Sequence, residues 1–405
     1  MIRSWVPLTV TLSIQALVSV AALTLPVLAP AVAPALGVSP ALVGVYIAIL
    51  YVGATLSTLG GGSVVVRYGA IRVSQAGMVL ATAGLVLCTV TWLPAVAAGA
   101  FLIGLGYGPM TPASSHLLAR TTPPERMSLV FSVKQTGVPL GGVIAGAVAP
   151  GLALWLGWQA ALWAVAVANL ALTFAAQPLR AELDADRNPA APLALSNLAR
   201  TLGLVIRHPV LRLLAACSFV FSLTQNSLSG YLVTYLEDAM AYGLVAAGVA
   251  LSLAQLGGVI GRITWGWIAD RWMGAQRMLA GLALLMSASA AATAMLQPWM
   301  PAALVTLVLV VFGASAVGWN GVYLAEVARQ APPGQASLAT GGTLAFTFFG
   351  VVVGPPIFGA VSAWTGTYRT GFWGLALLTG LCAVVLLRVL WRTEARRQSV
   401  ADAQS

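Results

Sequence analysis

Gly266-Trp267-Ile268-Ala269-Asp270-Arg271 places a glycine, an acid and a basic residue between two long apolar segments. These segments run from about 242 to 267 and from about 277 to 296. Each is long enough to cross a hydrocarbon core of about 30 Å as a helix. The hexapeptide is therefore predicted to be a short loop at a membrane surface, joining two membrane helices.

Ten further apolar segments of similar length fill most of the chain. The sequence predicts an all-α membrane protein with twelve transmembrane helices in two pseudo-symmetric six-helix bundles. The predicted helices are, approximately, 9 to 33, 40 to 63, 73 to 93, 96 to 119, 128 to 150, 156 to 177, 211 to 234, 242 to 267, 277 to 296, 301 to 325, 338 to 361 and 368 to 391.

The composition agrees with lipid as the solvent. Of the 405 residues, 59% are hydrophobic and 7% are charged, whereas soluble domains carry about 25% charged residues. The net charge of +10 is spread along the chain rather than gathered in one patch. These features exclude an ordinary soluble enzyme and a nucleic-acid-binding protein, and they indicate membrane lipid as a partner.

The basic residues predict the orientation. Cytoplasmic loops of membrane proteins are enriched in Lys and Arg, and one face of the predicted topology, which also carries both termini, holds 17 of the 20 basic residues. They are Arg3, Arg67, Arg72, Arg120, Arg126, Arg180, Arg187, Arg200, Arg207, Arg212, Arg271, Arg277, Arg329, Arg388, Arg392, Arg396 and Arg397. Arg369 falls on the other face. We expect a multi-pass protein of the cell inner membrane with both termini in the cytoplasm.

An internal repeat predicts the two halves. Ala119-Arg120-Thr121-Thr122-Pro123-Pro124 recurs as Ala328-Arg329-Gln330-Ala331-Pro332-Pro333. The predicted organisation is an N-terminal bundle over 1–177, a cytoplasmic linker over 178–210, a C-terminal bundle over 211–392 and a cytoplasmic tail over 393–405.

The hexapeptide at 266–271 resembles the Gly-x-x-x-Asp-Arg loop signature of the major facilitator superfamily. The first half has a degenerate copy from Gly62 to Gly69, in which Val66 stands where the family usually has Asp. The resemblance implies a gate on the cytoplasmic side, to which we assign the following residues: Asp270, Arg271, Gly266, Arg67 and Gly62. The alternative for Asp270 is a solvated loop charge.

Lys134 to Gly142 resembles the Gly- and Pro-rich motif in the fifth helix of the same superfamily. Helix eight offers its own small residues at Gly257, Gly258 and Gly261. Small residues let helices approach closely. Since these two helices are neighbours across the halves in the superfamily fold, the resemblance implies a glycine seam on which one half rocks against the other. Ordinary helix packing is the alternative.

Lys134 and Arg262 are the two charges placed inside predicted helices. At about 1.5 Å per residue, both lie about 10 to 12 Å from the cytoplasmic end of their helices. No acidic residue falls deep within a predicted helix, and Glu326 comes nearest, at the cytoplasmic end of helix ten. Buried charges need partners, so the two cations predict a binding site for an anion. Alternatively, they cap backbone carbonyls or extend to the cytoplasm.

Gly261 to Gly266 resembles the helix-eight segment of monocarboxylate and oxalate porters. That resemblance implies that Arg262 binds a substrate carboxylate through two hydrogen bonds. Oxalate porters also use a helix-eleven lysine, whereas the repeat here places Thr343 opposite Lys134. Lys134-Gln135 in helix five is closer to bacterial cyanate-type porters.

Other polar residues in the predicted helices complete the expected binding site. Besides Arg262 and Lys134, we assign to it Gln135, Asn320, Thr111, Gln225, Asn226 and Tyr231. Gln15, Tyr51 and Tyr107 are further candidates for the cavity lining, although membrane aromatics often anchor at the interface instead.

These features predict a secondary active transporter that moves a small organic anion, such as a mono- or dicarboxylate, as an exchanger or a proton-coupled symporter. The alternative is a proton-driven exporter of hydrophobic drugs or metabolites, which usually relies on an acidic residue in the membrane. We expect a monomer that is not an enzyme, without catalytic residues, cofactor or metal. The chain cannot hold a Walker-type ATP loop, because its only lysine is Lys134.

Overall fold

The computed structural model describes residues 5–123, 126–193, 198–332 and 335–402. These residues form helices and short turns, and no strand occurs among them. Arg3, Pro124 and Pro333, which entered the predictions of topology and repeat, lie outside the described residues, as do 194–197 of the predicted linker and 403–405 of the predicted tail.

Twelve helical segments cross the protein and are numbered here as spans 1 to 12. In order they are Val6–Val27, Pro40–Tyr68, Ala70–Cys88, Leu93–Thr121, Val130–Leu156, Trp158–Leu183, Pro209–Met240, Leu244–Met273, Ala275–Met295, Ala302–Gln330, Ala339–Thr365 and Tyr368–Trp391. Eleven of these are, on their own, long and apolar enough to cross a membrane. The predicted all-helical fold is confirmed.

Span 7 is the exception, because it is long and apolar enough to cross a membrane only when it is taken together with the short helix Thr201–Arg207 before it. The two helices meet at an angle of 107°. Pro209 suits the first position of the new helix, because an N–H there would have no partner within the helix. The His208 side chain accepts a hydrogen bond from Leu211 N at 3.4 Å. Span 7 has 32 residues, which at about 1.5 Å each is ample for a crossing.

Spans 4, 5 and 10, which were predicted as continuous helices, are each broken into two helices. Span 4 consists of Leu93–Tyr107 and Met110–Thr121, and span 10 consists of Ala302–Gly318 and Asn320–Gln330. In span 5, Met127–Gln135 is followed by Gly137–Leu156. Proline explains the breaks in spans 4 and 5, because it donates no hydrogen bond to the carbonyl four residues earlier. In span 4 that carbonyl, Gly108 O, accepts from the Thr58 hydroxyl instead, at 3.0 Å.

The two halves pack in the same way. Span 1 packs on span 5, span 2 on span 4 and span 3 on span 6, and the same pairs recur six spans later as 7 with 11, 8 with 10 and 9 with 12. Spans 5 and 8, and spans 2 and 11, form the main contacts between the halves. The pseudo-symmetry expected from the repeat is therefore present in the packing.

The close contact between spans 5 and 8 differs from the predicted seam. Gly146 and Gly248 face each other there, and Ser252 donates to Val143 O at 2.9 Å. Gly257 and Gly261 instead approach carbonyls of span 10, within the same half. The prediction for these span 8 glycines was wrong because the sequence does not show which helix each side of span 8 contacts.

The loops lie on two faces. We call the face that carries Arg67, Arg120, Arg271 and Arg329 the basic face, and the other the opposite face. Arg369 lies on the opposite face, where it donates to Leu296 O at 2.8 Å.

The predicted topology can be tested with reporter fusions. Fusions at Arg187 and at Arg369 are expected to report different sides of the membrane, with Arg187 in the cytoplasm. A fusion at Arg271 should agree with Arg187. The same sidedness at Arg187 and Arg369 would contradict the twelve-span topology.

Candidate substrate-binding site

Lys134 lies at the end of the short helix Met127–Gln135, just before the break in span 5. Its side chain is 1% exposed, and its Nζ has no hydrogen-bond partner among the described residues. The same side of span 5 continues with Gly137, where an added Cβ would lie 3.0 Å from carbons of Gln15. The ammonium group is therefore buried near the contact between spans 1 and 5.

Two polar side chains of span 1 share this environment. Gln15 is 1% exposed and Ser19 is 2% exposed. Neither amide atom of Gln15 nor the hydroxyl oxygen of Ser19 has a hydrogen-bond partner within the described part of the chain. Because the two residues are four apart, they lie on one side of span 1, and Gly141 of span 5 packs against Ser19.

Lys134, Gln15 and Ser19 are buried polar residues without hydrogen-bond partners among the described residues, placed along neighbouring turns of spans 1 and 5, and we call them together the cation pocket. It offers an ammonium, an amide N–H and a hydroxyl as donors, and leaving such groups buried without partners costs about 1 to 3 kcal/mol each. A bound anion would satisfy them. Sequence reasoning named Gln15 only as cavity lining and missed Ser19, although a glutamine in the first apolar segment was the available signal.

Arg262 in span 8 bonds to two backbone carbonyls. Its Nη1 donates to Gln135 O at 2.6 Å and its Nε donates to Val317 O at 3.1 Å. Each carbonyl lies next to a break, in span 5 and span 10 respectively. Gln135 O is four residues before Pro139, so the proline cannot serve it and the guanidinium does.

Arg262 therefore joins the two halves at the level of Lys134. Two of its nitrogens are engaged, and only Nη2 has no hydrogen-bond partner among the described residues. The alternative in which Arg262 caps carbonyls matches these contacts. Its direct contact with a carboxylate stays a prediction, and Nη2 is the atom left for it.

The remaining predicted site residues divide into separate places. Gln225 accepts from Trp319 Nε1 at 3.0 Å and from Asn320 Nδ2 at 3.3 Å, which joins spans 7 and 10. Asn226 donates to Ser222 O at 3.0 Å, within its own helix. Thr111 is exposed, and Gln135 is partly buried. Among the described residues, no hydrogen bond or ion pair links Gln225, Asn226 or Thr111 to the cation pocket.

Tyr231 belongs to the opposite face. Its buried hydroxyl donates toward Ala41 O at 2.7 Å and Pro355 O at 3.0 Å. Gly44 and Gly359 pack so closely on it that an added methyl group would overlap the hydroxyl. These contacts tie span 7 to span 11 and to the start of span 2 at the opposite face, so Tyr231 lies away from the cation pocket.

The loop signature is exposed in this structure. Asp270 and Arg271 are exposed within the turn Ala269–Met273, and neither has an ion-pair partner among the described residues. Gly266 is partly buried and Gly62 is exposed. Arg67 lies over the Tyr68 ring, 5.7 Å from its centroid.

The first half has an acid that sequence reasoning missed in this role. Asp184, from the predicted linker, is 4% exposed and accepts from Ile71 N at 2.8 Å and Arg72 N at 3.0 Å. A carboxylate at a helix N-terminus satisfies free amides and interacts favourably with the helix dipole. Asp184 therefore caps span 3 in the half whose loop has Val66 instead of Asp. The missing acid at Val66 was the only signal.

Other acidic residues of the basic face also have partners within the protein. Asp186 accepts from His116 at 2.7 Å and pairs with Arg120, which also donates to Leu183 O at 2.6 Å. In the second half, fully buried Glu326 pairs with Arg329 and accepts from Gln276 at 2.6 Å. Asp186 and Glu326 thus have protein partners, whereas Lys134 Nζ has none among the described residues. Within the described residues, no group of three His, Cys, Asp or Glu side chains could hold a metal ion.

The Asp184 cap can be tested at Gly69. This residue has φ +97°, and a methyl group there would overlap the Asp184 carboxyl group. Gly157 begins span 6 with a similar φ of +88°, but its nearest neighbouring atom would lie 3.6 Å away. Gly69→Ala should therefore lower the free energy of unfolding by about 1 to 3 kcal/mol more than Gly157→Ala. Equal losses in thermal unfolding would contradict the cap.

Comparisons with known proteins agree with this architecture. Residues 11–342 match the family model described as Major Facilitator Superfamily. The chain is 28% identical over 373 residues to a gentisate transporter of Corynebacterium glutamicum, covering 83% of this chain and 80% of that protein. It is 26% identical over 308 residues to an uncharacterized MFS-type transporter of Mycobacterium tuberculosis, covering 74% of this chain and 66% of that protein.

Solved structures share the fold. A POT family transporter in complex with a thioalcohol-conjugated peptide superposes with a TM-score of 0.72 at 13% identity, covering 95% of this chain and 96% of that one. A bacterial homolog of the human lysosomal transporter Spinster, inward-facing and occupied, gives 0.68 at 12% identity, with 94% of each chain covered.

Proposed function

Because the chain belongs to the Major Facilitator Superfamily, we propose that it moves a small organic anion, a mono- or dicarboxylate or a similar compound, by alternating access. Lys134 carries the proposal. It is a buried cation whose Nζ has no hydrogen-bond partner among the described residues. Such a group is costly inside a membrane protein unless a counter-ion reaches it.

The surrounding charges support an anion as that counter-ion. Glu326 and Asp186 are paired with arginines, and Asp184 accepts from two backbone amides. Arg262 adds a second positive charge next to the carbonyl of Gln135. The net charge of the site is therefore positive, and the gentisate transporter among the relatives makes a carboxylate the natural choice.

The two faces support alternating access. Tyr231 and its glycine neighbours hold spans 2, 7 and 11 together at the opposite face. Asp270 and Arg271 of the loop signature are exposed at the basic face. We infer that substrate reaches the cation pocket from the basic face in this state, and that the signature loop, with Gly266, Gly62 and Arg67, acts when that face closes.

We further propose an inner-membrane monomer with cytoplasmic termini, working as an exchanger or a proton-coupled symporter. Asp184, Asp186 and Glu326 on the basic face already have partners, so a proton that moves with the anion need not rest on them. Counterflow of the anion is then expected to persist without a pH gradient.

Thermal unfolding of the purified protein tests the proposal, because ligands stabilise the state that they bind. Acetate, succinate and gentisate should be compared with a lipophilic cationic dye, in the wild type and in Lys134→Ala. At least one carboxylate should raise the wild-type Tm but not that of the variant. Stabilisation by the dye alone would overturn the proposal and favour the exporter of hydrophobic compounds.

A further inference from the structure

Three aromatic rings from three spans meet near the centre of the protein. Tyr51 in span 2 lies 5.9 Å from Tyr107 in span 4 and 6.4 Å from Phe348 in span 11, measured between ring centroids. All three side chains are partly exposed. We call this group the aromatic wall. It includes rings from both halves.

The rings lie too deep to be interface anchors. Tyr51 follows the start of span 2 by 11 residues, Tyr107 follows the start of span 4 by 14, and Phe348 follows the start of span 11 by 9. At about 1.5 Å per residue these positions lie roughly 14 to 21 Å from the span ends, near the middle of a 30 Å core. Interfacial tyrosines instead sit at headgroup level.

The aromatic wall adjoins the cation pocket through Tyr107. That residue packs against a buried cluster that includes Ile14 and Val18 of span 1, which are next in sequence to Gln15 and Ser19. Ser19 is one helical turn from Gln15, which packs beside Gly137 and hence near Lys134. Donors for an anion and faces for a ring are therefore neighbours.

We propose that the substrate is an aromatic carboxylate, whose carboxylate binds the cation pocket while its ring packs on Tyr51, Tyr107 and Phe348. The inference rests on the proposed function and narrows its substrate class. Ring pairs favour offset or edge-to-face geometry at centroid distances of about 4.5 to 7 Å, a range that the wall already shows. Because Phe348 belongs to the second half, a bound ring would touch both halves and favour their closure around it.

Benzoate and cyclohexanecarboxylate are suitable probes, since they have the same charge and a similar size but only one is aromatic. The wild-type protein should bind benzoate roughly two- to tenfold more tightly, as measured by calorimetry. Phe348→Leu should bring that ratio close to one. Phe349→Leu is the matched control, because the neighbouring ring is 57% exposed and packs on Phe219 instead. It should leave the ratio unchanged.

The outcomes separate this inference from the function on which it rests. A wild-type ratio near one overturns the aromatic wall, and so does a ratio that Phe348→Leu leaves unchanged. If Phe348→Leu does not fold, Tyr51→Leu provides the same comparison. The proposed function survives either result as long as both probes bind at least about tenfold more weakly to Lys134→Ala. Binding of neither probe overturns the aromatic wall as a binding surface and leaves the proposed function to the thermal unfolding test, whereas binding that does not depend on Lys134 overturns both.

Discussion

Lys134→Glu is expected to abolish anion binding, because it presents a negative charge where the substrate carboxylate would lie. Lys134→Ala removes one charge-assisted contact, worth about 1.5 to 3 kcal/mol, and should weaken affinity by roughly ten- to a hundredfold. Lys134→Arg keeps the charge and should retain part of the affinity. Calorimetry with the anion identified by thermal unfolding provides the measurement.

Lys134→Met distinguishes a binding role from a structural one. An ammonium that is buried without a partner destabilises the protein, and a well-packed apolar side chain of similar volume removes that cost. The variant is expected to lose binding while its free energy of unfolding rises by about 1 kcal/mol or more. Arg207→Met at an exposed position is the control and should change neither property. If Lys134→Met lowers stability and leaves affinity intact, the cation is structural.

The sequence placed both Arg262 and Lys134 in the expected anion site, and in the structure Arg262 donates to two backbone carbonyls whereas Lys134 Nζ has no hydrogen-bond partner among the described residues. Both were found because charges inside apolar segments stand out in any membrane sequence. The difference in their hydrogen bonding depends on the backbone carbonyls at Gln135 and Val317, which are free to accept from Arg262 only because spans 5 and 10 break there. Pro139 indicates that the helix lacks a hydrogen bond at this point, but its sequence context does not show which distant side chain donates to the free carbonyl.

The fold was largely predictable, since the length and apolar character of each span are local properties. The unpredicted features all depend on contacts between distant residues. Asp184 caps span 3 from 113 positions away, and Tyr231 reaches Ala41 across 190. Neither residue has a neighbour in sequence that would indicate its role. The aromatic wall is a similar case, because its rings come from three different spans.

Arg262→Ala is expected to lower the free energy of unfolding by about 1.5 to 3 kcal/mol, because it leaves Gln135 O and Val317 O without their donor. Arg262→Lys should not restore wild-type behaviour, since one ammonium lacks the spread of the guanidinium that reaches both carbonyls. Unfolding in detergent by a chemical denaturant gives the stability. Unaltered stability in both variants would contradict the bridging role, and anion affinity should fall less than in Lys134→Ala.

Pro139→Ala provides the sharper test, because it restores a backbone N–H four residues after Gln135. The next amide, Leu140 N, already donates to Thr136 O at 2.9 Å, so an amide at position 139 would point along the same direction. If Gln135 O accepts a hydrogen bond from within span 5, Arg262→Ala should lower the free energy of unfolding by a smaller amount. A double-mutant cycle is expected to show a coupling of about 0.5 to 3 kcal/mol between Arg262→Ala and Pro139→Ala. Pro150→Ala in the same span is the matched control, and its coupling to Arg262→Ala should be close to zero. Equal coupling for both prolines would mean that Arg262 does not stand in for the hydrogen bond that Pro139 removes.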